Sequence, residues 1–224
     1  MSPTHHWDRL ALVNAGAMGP QIEKMIRLAV SLAGSYADES RYYDRIYETD
    51  REAWRKRAAQ DLSSCGIFYE RLCREAGVSA KWLYGPYEKR MGRAIIDSVA
   101  HAKQHGAYTD LSGRAFDRES DMGPKAGDAV ILGWNGKLAW SIGEPAIQHL
   151  SFMVSHDLAI DGGQAGRKDA NYSIQYRRRR YVVEHGQLWG MAEGGELTGS
   201  KHRPVSKGRR VVGIIRTTDL PFLA

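Results

Sequence analysis

The chain has 224 residues, of which 42% are hydrophobic and 26% charged, a composition typical of one globular domain. It contains no run of about 18 or more apolar residues, so we expect no membrane span. The formal net charge of +6 favours anionic partners such as nucleic acid, acidic lipids or an acidic cell-wall polymer. Residues 1–20 lack the pattern of a secretory signal peptide. We therefore expect synthesis in the cytoplasm, with any export following a non-classical route.

The first half of the sequence predicts helices. Residues 20–33 place apolar side chains on one stripe, as an amphipathic helix does. Residues 65–76 predict a second helix that ends at Gly77, a common C-terminal cap. Residues 87–106 predict a third helix, and the polar residues 108–124 predict turns.

The second half of the sequence predicts β-strands. Short segments rich in β-branched or aromatic residues lie between Gly, Asp and Asn turn signals, at 127–134, 137–143, 148–155, 158–163, 172–183 and 209–220. Helices followed by strands predict an α+β domain, in which the N-terminal helices pack on an antiparallel β-sheet. We predict a single domain over residues 1–224, with a helical N-terminal part at 1–59 and a core at 60–220.

The chain has two cysteines, and the sequence distinguishes them. Cys65 and Cys73 lie roughly 12 Å apart along one predicted helix, too far for a mutual disulfide. Ser63 or Ser64 is a good N-cap, which places Cys65 in the first turn, where the partial positive charge of the helix favours a thiolate. Cys73 lacks this advantage and is predicted to be a core residue. Burial as an ordinary packing residue is the alternative role for Cys65.

A cysteine nucleophile needs a base and an orienting group. His149 begins a predicted strand, on the face of Ser151 and Met153. Asp161 lies in the next predicted strand of the same hairpin. A carboxylate there can bond one imidazole nitrogen and leave the other for Cys65.

Metal and nucleic-acid sites are the other possibilities that the sequence raises. His101 and His105 have the i, i+4 spacing of some zinc sites, but their segment lacks the Glu of an HExxH motif, so we predict no metal or cofactor. The basic runs at 176–181 and 201–210 leave a nucleic-acid-binding module as an alternative function. No helix-turn-helix, zinc-finger or RNP motif accompanies them, so nucleic acid is not the favoured partner.

The order of the motifs resembles that of papain-like cysteine amidases and peptidases of the NlpC/P60 and CHAP type. The motifs are SSCGIFYERL, PKAGDAVILG, QHLSFMVS, AIDGGQ and RRVVGIIRTTDL, and they span roughly residues 60–220. The resemblance implies a papain-like fold with Cys65 as nucleophile, His149 as general base and Asp161 as orienting acid. The chain has Ser-Ser-Cys-Gly where these families commonly have Asp-Cys-Ser-Gly. The long separation of the cysteine from the histidine implies an insertion at 81–123.

The resemblance also implies auxiliary residues. The backbone N–H of Cys65 would face the oxyanion of the tetrahedral intermediate, and Gln60 or Ser63 would supply the second donor. Gln164 is the alternative to Asp161 as the orienting residue.

The resemblance further implies a substrate and a setting. Most such enzymes cut amide bonds in the peptide stems of bacterial peptidoglycan. Without a signal peptide, a phage lysin or an antibacterial effector of a type VI secretion system would fit, acting in the periplasm of a target cell. Its partners would be a secretion-system carrier or a cognate immunity protein. A papain-like deamidase or protease, or a catalytically inactive relative, would have the same motifs, so these alternatives stay open.

Overall fold

The computed structural model describes residues 4–34, 64–84, 94–117, 123–133, 147–164, 173–193 and 209–223. The α-helices in these ranges are α1 Thr4–Ala15, α2 Pro20–Leu32, α3 Ser64–Ala76 and α4 Ala94–Gln104. Short 3-10 helices span Lys81–Tyr84 and Thr217–Asp219. None of the helices within the described ranges is long and apolar enough to cross a membrane.

The described strands form one antiparallel sheet that closes on itself. They are β1 Tyr108–Asp110, β2 Ala129–Gly133, β3 Ile147–Met153, β4 Leu158–Gln164, β5 Ser173–Glu184, β6 Gln187–Glu193 and β7 Arg209–Ile215. The strand order is β1-β7-β2-β3-β4-β5-β6, and an additional β6–β7 pairing closes a barrel of six strands. Along one edge of β7, β1 pairs with the end of the strand and β6 with its beginning, while β2 occupies the other edge.

The sheet separates two apolar clusters. The larger cluster lies between the sheet and the helices, and joins Phe68 and Leu72 of α3 to Phe152 of β3. The smaller cluster lies on the opposite face of the sheet, inside the barrel, and contains Leu111, Val130, Leu132, Met153, Ala159, Leu188, Val211 and Ile214. Because side chains alternate along a strand, Ser151 and Asp161 lie on the same face as this second cluster.

Helix α3 forms because its apolar side chains recur on one face, which is buried against the sheet. It ends as predicted at Gly77, whose φ of 83° is in the left-handed region. The N–H of Val78 donates to the carbonyl of Cys73 (2.9 Å), and that of Gly77 to Arg74 (3.0 Å). These two bonds form a Schellman motif, so the predicted C-terminal cap is confirmed.

Two strands were not predicted. Residues 108–124 were expected to form turns, yet Tyr108–Asp110 forms β1, which is too short to give a periodic pattern. Strand β6 follows β5 through a two-residue turn, in which His185 and Gly186 have φ of 49° and 69°. Two positive φ angles are typical of a type I′ hairpin, and His-Gly is not the usual signal for that turn.

Some predicted elements fall partly or wholly outside the described residues. The predicted helix 87–106 is described from Ala94 onward, and the predicted strand 137–143 lies in a segment that is not described. The proposed insertion 81–123 contains α4 and β1, of which β1 pairs with β7 of the barrel.

Gly66 allows α3 and α4 to approach closely. A Cβ atom at this position would lie 2.8 Å from Cβ of Ala94 and 2.9 Å from the backbone N of Ile95. We expect Gly66→Ala to push the two helices apart and to lower the free energy of unfolding by about 1–3 kcal/mol, the usual cost of overpacking. Urea denaturation measures this change.

Gly113 provides the matched control for this substitution. Nothing lies within 4 Å of a Cβ atom built on Gly113, and its φ lies outside the left-handed region. Gly113→Ala should therefore change stability by less than about 0.5 kcal/mol. Equal effects of the two substitutions would contradict the close helix contact at Gly66.

Candidate active site

The structure brings the three predicted catalytic residues together. Cys65 lies in the first turn of α3, His149 near the start of β3, and Asp161 in the neighbouring strand β4. Nε2 of His149 lies 3.0 Å from Oδ2 of Asp161, so the predicted imidazole–carboxylate hydrogen bond is present. The imidazole also hydrogen-bonds the side chain of Cys65. Because Nε2 meets Asp161, Nδ1 is the ring nitrogen left for the sulfur.

Asp161 is held by two further side chains. The hydroxyl of Ser151 donates to Oδ1 of Asp161 at 2.5 Å, and the guanidinium of Arg179 in β5 donates to Oδ2. Nε of Arg179 also donates to Oγ of Ser151 at 2.7 Å, which closes a ring of hydrogen bonds. Ser151, Asp161 and Arg179 are all buried, so these bonds replace the water that the carboxylate loses on folding.

Asp161 is an anion despite its burial. Burial acts to raise the pKa of this carboxyl, but the charge of Arg179, and after it that of His149, outweighs burial. The pKa of Asp161 is therefore held below its ordinary value. At neutral pH the carboxylate is ionised and can orient the imidazole.

His149 is a cation at neutral pH. Burial acts to lower its pKa, but the charges of Asp161 and then of Cys65, with a hydrogen bond to each, outweigh burial and raise the pKa to about 9. A group with a raised pKa stays protonated until the pH rises through that value, so the imidazolium persists through the neutral range. An imidazolium in contact with a cysteine stabilises the thiolate, which is the nucleophilic form.

Cys73 has the core position that the sequence predicts. It is 1% exposed, in the middle of α3. Burial raises the pKa of its thiol to about 12, against the opposing effect of a hydrogen bond with Tyr69. Cys73 is therefore a packing residue and a poor nucleophile at neutral pH.

The predicted auxiliary residues are not all described. Gln60 and Ser63 lie outside the described residues, so the second oxyanion donor stays a prediction. Gln164 ends β4 opposite Ser173, and the structure describes its backbone but not its side chain. The N–H of Cys65 belongs to the first turn of α3, where backbone N–H groups point out of the helix end.

Sequence reasoning missed the roles of Ser151 and Arg179. The basic run 176–181 was recognised, but none of its arginines was selected. Strand alternation puts Arg177 and Arg179 on one face of β5. The alternation does not reveal that this face of β5 lines the inside of a barrel. It also does not reveal that Asp161 of β4 lies close to Arg179.

The spacing of His101 and His105 suggested a possible zinc site. In the structure the two imidazole rings are in aromatic contact. The rings of His101 and His105 lie 4.5 Å apart at an edge-on angle of 61°. Within the described ranges, no group of three or more His, Cys, Asp or Glu residues is placed to hold a metal ion.

Comparison with family models, with curated proteins and with solved structures finds no match to this chain. The papain-like fold and the membership of an amidase family therefore stay predictions. They rest on the order of the motifs and on the chemistry of the site.

Proposed function

We propose that this protein is a papain-like cysteine amidase or peptidase that cuts amide bonds in peptidoglycan peptide stems. One observation carries the proposal: a cysteine in the first turn of a helix hydrogen-bonds a histidine, which in turn bonds a buried, ionised aspartate. A cysteine that served only for packing would need neither the imidazole nor the carboxylate behind it, and burying such groups costs free energy.

The mechanism starts from a Cys65 thiolate, a His149 imidazolium and an Asp161 carboxylate. The thiolate of Cys65 attacks the amide carbonyl carbon, and the tetrahedral oxyanion is stabilised by the N–H of Cys65 and the positive end of α3. The imidazolium of His149 donates its proton to the leaving amine as the C–N bond breaks, which leaves a thioester. The neutral imidazole then takes a proton from water, whose oxygen attacks the thioester and releases the acid and Cys65. Asp161 holds the ring orientation throughout.

The substrate part of the proposal rests on the resemblance and on charge. The chain carries a net charge of +6, which favours an acidic polymer such as peptidoglycan. Delivery as a phage lysin or as a type VI effector, with a carrier or an immunity protein as partner, belongs to the same proposal.

Incubation with purified peptidoglycan tests the function. We expect the wild-type protein to release fragments that carry new free amine and carboxyl ends, identified by mass spectrometry. Cys65→Ala should release none above background, because Cys73, the only other cysteine in the sequence, is buried in the core. Cys73→Ala is the matched control and should retain activity, since that thiol only packs. Equal release by wild type and Cys65→Ala would contradict the proposal.

A further inference from the structure

The site lies at one end of the barrel. Because neighbouring strands are antiparallel, β2, β4 and β6 end where β3, β5 and β7 begin. We call this the site end of the barrel. His149 lies near the start of β3, and Arg209 is the first residue of β7, so both belong to the site end.

Arg209 lies on the same face of the sheet as His149. It pairs with Gly190 of β6, and a Cβ atom on Gly190 would meet Leu132 at 3.2 Å and Tyr181 at 3.3 Å. Leu132 belongs to the cluster inside the barrel and pairs with His149. Directly paired residues of antiparallel strands point to the same side, so Arg209 extends from the inner face of the barrel.

The guanidinium of Arg209 interacts electrostatically with the side chains of Cys65 and Asp161. Partial burial lowers its pKa, as does the nearby charge of Arg179, while Asp161 and Cys65 act in the opposite direction. The guanidinium is therefore within electrostatic range of the nucleophile. Arg209 is partly exposed to solvent, and none of the acidic side chains that the structure describes forms an ion pair with it.

The other charges of the site already have partners. Arg179 pairs with Asp161, and the thiolate proposed at Cys65 balances the charge of the His149 imidazolium. Arg179, Asp161, His149 and Cys65 thus form a group whose charges balance, and Arg209 adds one positive charge to it. Arg177, opposite Ala159 on the inner face of β5, is within electrostatic range of Asp161 and of Arg179.

We propose that Arg209 binds a carboxylate of the substrate beside the scissile amide, so that the enzyme selects acidic peptides. This inference rests on the proposed function. A guanidinium offers two parallel N–H donors that match the two oxygens of a carboxylate. A substrate carboxylate would also be a counterion for the guanidinium of Arg209, which the four site residues do not neutralise.

The inference can be tested on Cys65 without any peptide substrate. Iodoacetate and iodoacetamide alkylate a thiolate in the same way: sulfur bonds to the methylene carbon and iodide leaves. Only iodoacetate carries a carboxylate. We expect the ratio of the iodoacetate rate to the iodoacetamide rate to be higher at Cys65 than for free cysteine. Peptide mapping by mass spectrometry separates Cys65 from Cys73.

Variants then assign the preference to one arginine. Arg209→Gln should lower the rate ratio about fivefold, the size of effect that a partly exposed ion pair gives. Arg180→Gln is the matched control: it removes one charge from an exposed position on the other face of β5 and should leave the ratio unchanged. An unchanged ratio in Arg209→Gln, or an equal fall in both variants, would overturn the inference.

The test also separates this inference from the proposed function. If Cys65 reacts readily with iodoacetamide but shows no dependence on Arg209, the carboxylate site is wrong and the reactive cysteine stands. If neither reagent labels Cys65 in the folded protein, the reactive cysteine is wrong, and the carboxylate site falls with it.

Discussion

Iodoacetamide at about pH 6 should modify Cys65 at least about a hundredfold faster than Cys73. The pKa of Cys73 is raised to about 12 by burial, so on the order of one thiol in a million is ionised at that pH. Cys65 instead contacts an imidazole whose pKa is raised to about 9, and this imidazole is a cation at pH 6. Timed labelling followed by peptide mapping gives the two rates, and the proposed amidase activity should fall in step with labelling of Cys65.

His149→Ala is the control for this labelling experiment. Without the imidazolium, less of Cys65 is thiolate, so its labelling should slow by about tenfold or more. The rate at Cys73, whose thiol interacts with Tyr69 and Glu70, should not change. Equal labelling of the two cysteines, or faster labelling of Cys73, would mean that Cys65 is an ordinary packing residue.

Arg179→Met should lower the free energy of unfolding by about 3–5 kcal/mol, the usual cost of removing one partner of a buried ion pair. Asp161 is 0% exposed, and without the guanidinium its carboxylate would keep the hydrogen bonds with Ser151 and His149. Met keeps an unbranched apolar stem at this position and removes the charge. Urea denaturation at neutral pH measures the effect.

Two further variants show whether charge is the cause. Arg180→Met removes an exposed arginine of the same strand and should change stability by less than about 0.5 kcal/mol. Asp161→Asn in the Arg179→Met background removes the buried charge that has lost its guanidinium partner and should recover part of the loss, in a double-mutant cycle. An Arg179→Met protein as stable as the wild type would contradict the buried pairing.

The sequence by itself determined the local features of the site. The 3.6-residue spacing of apolar side chains predicted the helix, and Gly77 marked its end. Ser63 or Ser64 as the N-cap placed Cys65 in its first turn. The alternation in the segment around His149, followed by the short segment that contains Asp161, predicted two strands of one hairpin. Such patterns are readable because helix and hairpin geometry depends on residues close together in the chain.

The tertiary structure alone decided which distant residues meet. Arg179 reaches Ser151, 28 residues away, because β5 lies beside β4 and the sheet curves into a barrel that β6 and β7 close. The order of strands, the closure of the barrel and the contact of Gly66 with α4 depend on packing between segments far apart in sequence. A repeating pattern within one strand specifies which side chains share a face, but it carries no information about which strand lies next to it.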